Sequence, residues 1–132
     1  MPSPRVSAVL FVKELQRLAT FYRETLGLEL ETSDDDHVIL GTAGFALVVH
    51  RIPEHFARSI TIEQPPRRRE SAAIKLSFPV ESIPDVRARA AALGGGLDPP
   101  DSEWFAERSI TCKGYDPEGN VFQVSQRIES SA

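Results

Sequence analysis

The amino-acid sequence predicts an α+β fold made of two similar modules, each with the element order β, α, β, β, β. Two segments carry apolar residues at helical spacing, and each is surrounded by short β-rich runs that end at turn residues. The two segments also align with one offset, because Leu15 and Ile83 are 68 positions apart and so are Gly27 and Gly95. An internal repeat is the simplest explanation of this spacing.

The composition is typical of one compact domain. The chain has 132 residues, of which 41% are hydrophobic and 26% are charged. We therefore predict a single domain over 1–132, with module one at about 5–62 and module two at about 71–128. A net charge of -4 and the lack of a long apolar run argue against nucleic-acid and membrane partners. The single cysteine, Cys112, and an N-terminus unlike a signal peptide predict a cytoplasmic location.

The first module begins with a β-rich run over 6–12, and a helix follows. The apolar residues at helical spacing in it are Leu15, Leu18, Ala19, Tyr22 and Leu26. Gly27 is expected to end this helix. Three short strands are then predicted over 28–32, 37–40 and 45–49. The connector to the second module should contain a short helical turn and a solvated basic run, Arg67 to Arg69.

The second module repeats this pattern. A strand is predicted over 72–80, and Ser82 is a suitable N-cap for the helix after it. The buried face of that helix is expected to hold Ile83, Val86, Ala90 and Leu93, and Gly94 to Gly96 should end it. Further strands are predicted over 96–98, 108–113 and 121–127. The last two are separated by a turn over 116–120.

Strand alternation sorts the side chains into two faces. The apolar set, expected to pack under the helices, is Ala8, Leu10, Val12, Leu47, Val49, Ile74, Leu76, Phe78, Phe122 and Val124. The opposite set is smaller and more polar, as expected of a surface that contacts a ligand. It comprises Ser7, Val9, Phe11, Ala46, Val48, His50, Ala73, Lys75, Ser77, Val121, Gln123 and Ser125.

Several segments together resemble a known family. They are FVKELQRLATFYRETLGLEL, GFALVVH, IKLSFPVESIPDVRARAAALGG and GYDPEGNVFQVSQ, which cover nearly the whole chain in order. This arrangement resembles the vicinal oxygen chelate superfamily of glyoxalases, bleomycin-resistance proteins and extradiol dioxygenases. The resemblance implies a curled, mostly antiparallel, cup-shaped sheet with helices outside, and a homodimer.

The resemblance also implies where a metal would bind. Members that use a divalent metal place His, Gln or Glu at one position on the first and last strand of each module. Matched by motif, those positions are Ser7, Val48 or alternatively His50, Ala73 and Gln123. Valine and alanine have no donor atom, and serine and glutamine are poor ligands by themselves. We therefore predict no metal ligands, no cofactor and no catalytic residues.

The predicted cup supplies the candidate ligand-binding residues. They are Ser7, Val9, Phe11, Val48, His50, Ala73, Lys75, Trp104, Phe105 and Gln123. Lys75 is the one formal cation on that face, where it either anchors a ligand or pairs with a nearby carboxylate. Trp104 and Phe105 either stack on a flat ligand or pack against the core or a partner subunit. Cys112 is interpreted as a buried, inert thiol.

The resulting functional prediction is a metal-independent protein that binds a small molecule, such as a drug-like or aromatic guest. The acidic charge balance favours a cationic guest. The alternative is a metal-dependent lyase, isomerase or dioxygenase of the same superfamily, which would need at least two strong metal ligands. A third hypothesis is a regulatory or structural module whose cup is filled by its own side chains.

Overall fold

The computed structural model describes residues 4–128, which form two compact units. One unit ends at Ile62 and the other begins at Glu63. Each unit contains one β-sheet and at least one α-helix. The fold class is therefore α+β, with mostly antiparallel sheets, as the sequence predicts.

The first unit has the predicted β, α, β, β, β order and ends in a short helix. Its elements are β1 Val6–Val12, α1 Leu15–Leu26, β2 Glu29–Ser33, β3 His37–Thr42, β4 Phe45–Arg51 and α2 Glu54–Ala57. The strand order in the sheet is β1-β4-β3-β2, in which β1 and β4 are parallel and the other pairs antiparallel. A β-bulge between Leu30 and Thr32 shifts the pairing of β2 with β3.

Burial confirms the helix and the strand faces of this unit. α1 contacts β3 and β4, and Leu15, Leu18, Ala19 and Tyr22 are buried as predicted. Gly27 adopts φ +69° and its N–H donates to the Arg23 carbonyl, which ends the helix. The residues of β1 and β4 expected on the apolar face are buried or half-buried, namely Ala8, Leu10, Val12, Leu47 and Val49.

The second unit contains the repeat in altered form. Its elements are β5 Ser77–Val80, α3 Ile83–Ala92, β6 Gly96–Leu97, β7 Trp104–Ala106, β8 Ser109–Tyr115 and β9 Val121–Arg127, with a 3-10 helix at Pro100–Ser102. The sheet order is β5-β9-β8-β6, and β7 also pairs with β8. Because β9 pairs along the whole of β8, β6 and β7 share the other edge of that strand.

The strand predicted over 72–80 is shorter than expected, since β5 begins at Ser77. In the parallel register with β9, Ser77 is opposite Gln123, so Ile74 and Ala73 would require partners at Asn120 and Gly119. Those residues belong to a turn and extend no strand. The predictions that Ala73 lies on a strand and that Ile74 is buried are therefore wrong, and Ile74 is 77% exposed.

The sequence analysis also missed β7. This strand forms a tight hairpin with β8 through Glu107 and Arg108, which have φ of +44° and +66°. Positive φ at both central residues is typical of a type I′ turn, where Asn-Gly or Asp-Gly are the usual residues. Glu-Arg gives no such signal. The helix α3 follows the predicted Ser82 cap and ends at Ala92, and Gly94, with φ +93°, lies in the glycine run predicted to end it.

Along the described chain, none of the helices has the length and apolar character required to cross a membrane.

Candidate functional site

The face of the first sheet that points away from α1 presents three rows of side chains across β1, β4 and β3. We call it the helix-free face of the first sheet. Its rows are Ser7, Ala46 and Gly41, then Val9, Val48 and Ile39, then Phe11, His50 and His37. Val9 and Phe11 are both more than half exposed. Apolar and aromatic groups therefore dominate this surface.

The third row is aromatic throughout. The ring centroids of Phe11 and His50 are 5.2 Å apart, and those of His50 and His37 are 6.1 Å apart with an interplanar angle of 15°. His50 Nδ1 lies 2.9 Å from the Arg51 carbonyl oxygen, and His37 Nδ1 lies 3.0 Å from Asp34 Oδ1. Hydrogen bonds therefore hold both imidazoles in place. The two imidazoles are nearly parallel and Phe11 is tilted by 47° to His50, so the row offers partly exposed aromatic surface for stacking.

The turn before β3 positions His37. Asp34 Oδ1 accepts the backbone N–H groups of His37 and Asp36, at 2.9 and 2.8 Å. These hydrogen bonds, with a smaller contribution from the His37 ring, lower the pKa of Asp34 below its usual value, although desolvation opposes the shift. The ionised carboxylate therefore keeps the turn in shape.

An ion pair covers the other end of this face. Arg5 pairs with Glu31, whose carboxylate lies over Gly41, so that a side chain at position 41 would displace it. Glu31 reaches this position from the bulge in β2. The charges of the pair offset one another, and the face is left without a strong net charge.

The corresponding surface of the second sheet bears a polar row. We call it the helix-free face of the second sheet, and its row across β5, β9 and β8 is Ser77, Gln123 and Lys113. Gln123 Nε2 donates to Ser77 Oγ at 3.1 Å, and Lys113 Nζ lies 3.0 Å from Glu70. Ser77 and Val9 are 68 positions apart, the same separation as Leu15 and Ile83. Ser77 therefore matches Val9 in the repeat.

Arg68 organises the edge of this face. Its guanidinium lies 2.6 Å from Asp98 and 2.8 Å from Glu70, and it stacks over the Tyr115 ring at 5.0 Å from the ring centre. Burial by itself would lower the pKa of Arg68. The hydrogen bond to Asp98 and the negative charges of Asp98 and Glu70 outweigh burial and raise this pKa. The prediction of a solvated basic run is thus wrong for Arg68, because its ion pairs hold it against the sheet.

Lys75 and Trp104 meet on the helix-free face of the second sheet. Trp104 is opposite Thr111, which shares a face with Lys113. Lys75 Nζ lies 5.9 Å from the centre of the Trp104 ring. Phe105 is 78% exposed but follows Trp104 on the same strand, so its side chain is on the other face of the sheet. The structure therefore does not bring Phe105 and Trp104 to one surface.

Cys112 lies on the opposite, buried face of β8. It has no exposed surface, and Arg87 of α3 approaches its sulfur at 3.6 Å while also donating to the Asp98 carbonyl and pairing with Glu103. Burial raises the pKa of the Cys112 thiol, and Arg87 only partly offsets this. The thiol is therefore buried and protonated at neutral pH, in agreement with its interpretation from the sequence.

The four positions matched to metal ligands do not lie in equivalent places. Ser7 is opposite Ala46 and Val48 is opposite Val9, while Gln123 is opposite Ser77 and Ala73 lies outside β5. The equivalent cross-strand pairs are instead Val9 with Val48 and Ser77 with Gln123. One pair has no donor atom, and the other has a neutral hydroxyl and amide bonded to each other. These residues do not fit a divalent metal ion.

The rest of the described chain offers no better donor set. Residues 4–128 contain no group of three His, Cys, Asp or Glu side chains arranged to hold a metal ion. The nearest approach is the cross-strand pair of His37 and His50. Two imidazoles alone are a weak site for divalent metals.

Several residues of the site were not among the candidates from the sequence. They are Ser77, Lys113, Glu70, Arg68 and Tyr115. Strand alternation does place Ser77 on the correct face. The position of Lys113 could have been found from the turn over 116–120, because pairing the strands on either side of this turn puts Lys113 opposite Gln123. The pairing of Arg68 with Asp98 spans 30 positions. No local signal predicts it.

These two repeated units, each with a sheet face turned away from its helix, define a protein of the glyoxalase and bleomycin-resistance fold class. The family model described as a glyoxalase-like domain matches residues 7–125. The chain therefore belongs to the glyoxalase-like domain family, within the vicinal oxygen chelate superfamily, as the sequence resemblance indicates.

Solved structures support the same assignment. A glyoxalase/bleomycin resistance protein from Albidiferax ferrireducens T118 is 17% identical with a TM-score of 0.65, covering 92% of this chain and 96% of its own. A glyoxalase/bleomycin resistance protein/dioxygenase family enzyme from Burkholderia phytofirmans PsJN is 18% identical with a TM-score of 0.66, covering 92% and 97%. The fosfomycin resistance protein FosX from Listeria monocytogenes is 18% identical with a TM-score of 0.64, covering 96% and 94%.

At these identities the likeness establishes the fold alone. The comparison with curated proteins gives no significant match.

Proposed function

We propose that this protein binds a small, partly aromatic molecule on its helix-free sheet faces without the help of a metal ion. The proposal rests on the residue types at two equivalent cross-strand pairs, which are Val9 with Val48 and Ser77 with Gln123. These residues lack carboxylate and imidazole groups, whereas exposed aromatic side chains lie on the same faces. The surfaces suit binding better than metal chemistry.

The absence of strong ligands at these pairs bears directly on the superfamily's enzymatic reactions. A metal in such a reaction would bind both oxygens of a chelating substrate and stabilise an enolate, which requires negatively charged or imidazole ligands to hold the ion. Ser77 and Gln123 use part of their hydrogen-bonding capacity on each other. Their remaining capacity suits the polar groups of a guest.

The aromatic side chains supply the affinity in this proposal. Phe11 is 56% exposed beside His50, and Trp104 is 39% exposed beside Lys75. Aromatic pairs contribute about 0.5–1.5 kcal/mol each beyond the burial of apolar area. Relatives of similar fold are named for bleomycin and fosfomycin resistance. Sequestration of a drug-like guest would be a function of the same kind.

Calorimetric titration with zinc, nickel, manganese and iron tests the metal-free part of the proposal. We expect chelator-treated protein at pH 7 to show no stoichiometric tight binding. Titration of a soluble chelator with the same metals under the same conditions serves as the positive control. One equivalent of tightly bound metal in the unaltered protein, lost in Gln123→Ala or His50→Ala, would overturn the proposal and favour a metal-dependent enzyme.

A thermal-shift screen of small aromatic compounds tests the binding part. We expect some of them to raise the midpoint of unfolding, because a ligand that binds only the folded state stabilises it. Phe11→Ala should remove the shift for guests that stack on the first sheet. Leu30→Ala is a matched control, since Leu30 is also exposed but lies on the other face of the edge strand β2.

We also propose that the protein is a cytoplasmic homodimer. The edge strand β2 is exposed along all five residues and presents unpaired backbone groups, which commonly pair or are covered in an assembly. Light scattering at micromolar concentration should give twice the monomer mass. A monomer at all concentrations would contradict the dimer without affecting the proposed ligand site.

A further inference from the structure

We propose that Lys75 and Trp104 form a subsite for a planar aromatic anion, such as an aromatic carboxylate. The inference rests on the proposed function, because it specifies the chemical class of guest for the helix-free face of the second sheet. Trp104 would stack on the ring of the guest, and the Lys75 ammonium would pair with its carboxylate.

Lys75 is free to bind an anion. Among the ion pairs of residues 4–128, no carboxylate pairs with Lys75, and its ammonium lies 5.9 Å from the centre of the Trp104 ring. An ammonium over an aromatic ring is held only weakly at an exposed site. A carboxylate guest can therefore attract Lys75 away from the ring and leave the ring face available.

The other cations on this face are already neutralised. Lys113 lies 3.0 Å from Glu70, and Arg68 pairs with both Glu70 and Asp98. Lys113 and Arg68 are thus balanced by two carboxylates, Glu70 and Asp98, and Lys75 adds a positive charge that neither of them pairs. The net charge of -4 of the chain favours a cationic guest, but the charge at this surface favours an anionic one. The charges close to the subsite determine whether it prefers an anion or a cation, because salt screens the charges farther away.

Trp104 is positioned to be a stacking surface. The hairpin of β7 and β8 fixes its backbone, and Trp104 pairs with Thr111 on the face that carries Lys113 and Gln123. Trp104 is 39% exposed, which leaves part of a large aromatic side chain accessible to a guest. Gln123 and Ser77, on the same face, can hydrogen-bond further polar groups of the guest.

Trp104 is the only tryptophan of the chain, so its fluorescence reports directly on the proposed subsite. Benzoate, benzylamine and benzyl alcohol present the same ring with negative, positive and neutral groups. At fixed low ionic strength we expect benzoate to give a saturable change at about tenfold lower concentration than the other two. Added salt should weaken benzoate binding and leave benzyl alcohol binding unchanged.

Variants assign the preference to Lys75. Lys75→Gln should weaken benzoate binding about tenfold, whereas Lys75→Arg should preserve it. Arg89→Gln removes one positive charge from an exposed position of α3 and should have no effect, so it controls for net charge. Lys75 is exposed and outside regular structure, which makes misfolding of its variants an unimportant concern.

Two results would overturn the inference. Equal or tighter binding of benzylamine or benzyl alcohol would show that the site does not select an anion, although small-molecule binding itself would stand. Unchanged benzoate affinity in Lys75→Gln would remove Lys75 from the site. If none of the three compounds changes the fluorescence, the subsite is wrong, and the thermal-shift screen then decides separately whether the protein binds small molecules elsewhere.

Discussion

Replacement of Gly119 by alanine is expected to destabilise the protein much more than the same replacement at Gly27. Both glycines have positive φ, +88° and +69°. A Cβ at Gly27 meets no atom within 4 Å, but a Cβ at Gly119 would lie 2.9 Å from the carbonyl carbon of Arg67 and closer still to its oxygen. Gly119 therefore permits the connector between the two modules to pass close to the turn.

The expected magnitudes follow from these contacts. Alanine in the left-handed backbone conformation destabilises the folded state by about 1–2 kcal/mol. Alanine also restricts the unfolded chain more than glycine does, which stabilises the protein by about 0.4–1 kcal/mol. Gly27→Ala should therefore lower the free energy of unfolding by about 1 kcal/mol. Gly119→Ala must also displace the connector. Displacing the connector should destabilise the folded state by about 1–3 kcal/mol, because the contact is closely packed. It should also weaken the hydrogen bond from Arg69 N–H to the Gly119 carbonyl, which contributes about 1 kcal/mol. Its total should be about 3 kcal/mol.

Urea unfolding followed by far-ultraviolet circular dichroism and Trp104 fluorescence provides the assay. The fluorescence reports on the second unit, which contains Gly119, and circular dichroism reports on both units. We expect the midpoint to fall clearly more in Gly119→Ala than in Gly27→Ala, with the slope unchanged. Equal losses in the two variants would refute the proposed close contact with Arg67.

Three further predictions concern single side chains. Cys112 should not react with a thiol reagent in the folded protein at pH 7, because it is buried and burial raises its pKa. In urea it should react at once. Rapid reaction of the folded protein would contradict the buried position. Arg87→Met should lower the free energy of unfolding by about 1–3 kcal/mol, since it leaves Glu103 without its donor and the Asp98 carbonyl with only the weakly donating Cys112 thiol. Chemical denaturation measures this, and no change would show that the contacts are dispensable. Asp34 has a lowered pKa, so its stabilising effect is present above the usual value of 3.8 and is lost as the pH falls through the lower, folded value. A carboxyl carbon titration by nuclear magnetic resonance should show this lowered midpoint, and a midpoint at or above 3.8 would contradict it.

The sequence predicts the strands and faces well where the pattern is local. The alternation in β1 and β4 separates Val9, Phe11 and His50 from the buried residues, as burial confirms. The turn over 116–120 also determines which residues of β8 and β9 are opposite each other, and it places Lys113 beside Gln123. Period-two patterns and turn residues are properties of neighbouring positions, so a single sequence contains them.

The remaining features depend on residues distant in sequence. The start of β5 is decided by where β9 begins, and the run from Ala72 to Leu76 is strand-like by itself. Arg68 is half-buried against Asp98 and Tyr115, which lie far from it in the sequence. The conformational preferences of single residues contain no information on such distant pairs.

On the proposed function, the protein binds its guest without a metal. The most direct test is to titrate benzoate into the protein twice, once after dialysis against a chelator and once with one equivalent of manganese or zinc added, while Trp104 fluorescence is followed. We expect the same affinity for benzoate in both titrations. Binding that disappears after chelation and returns with the metal would contradict it.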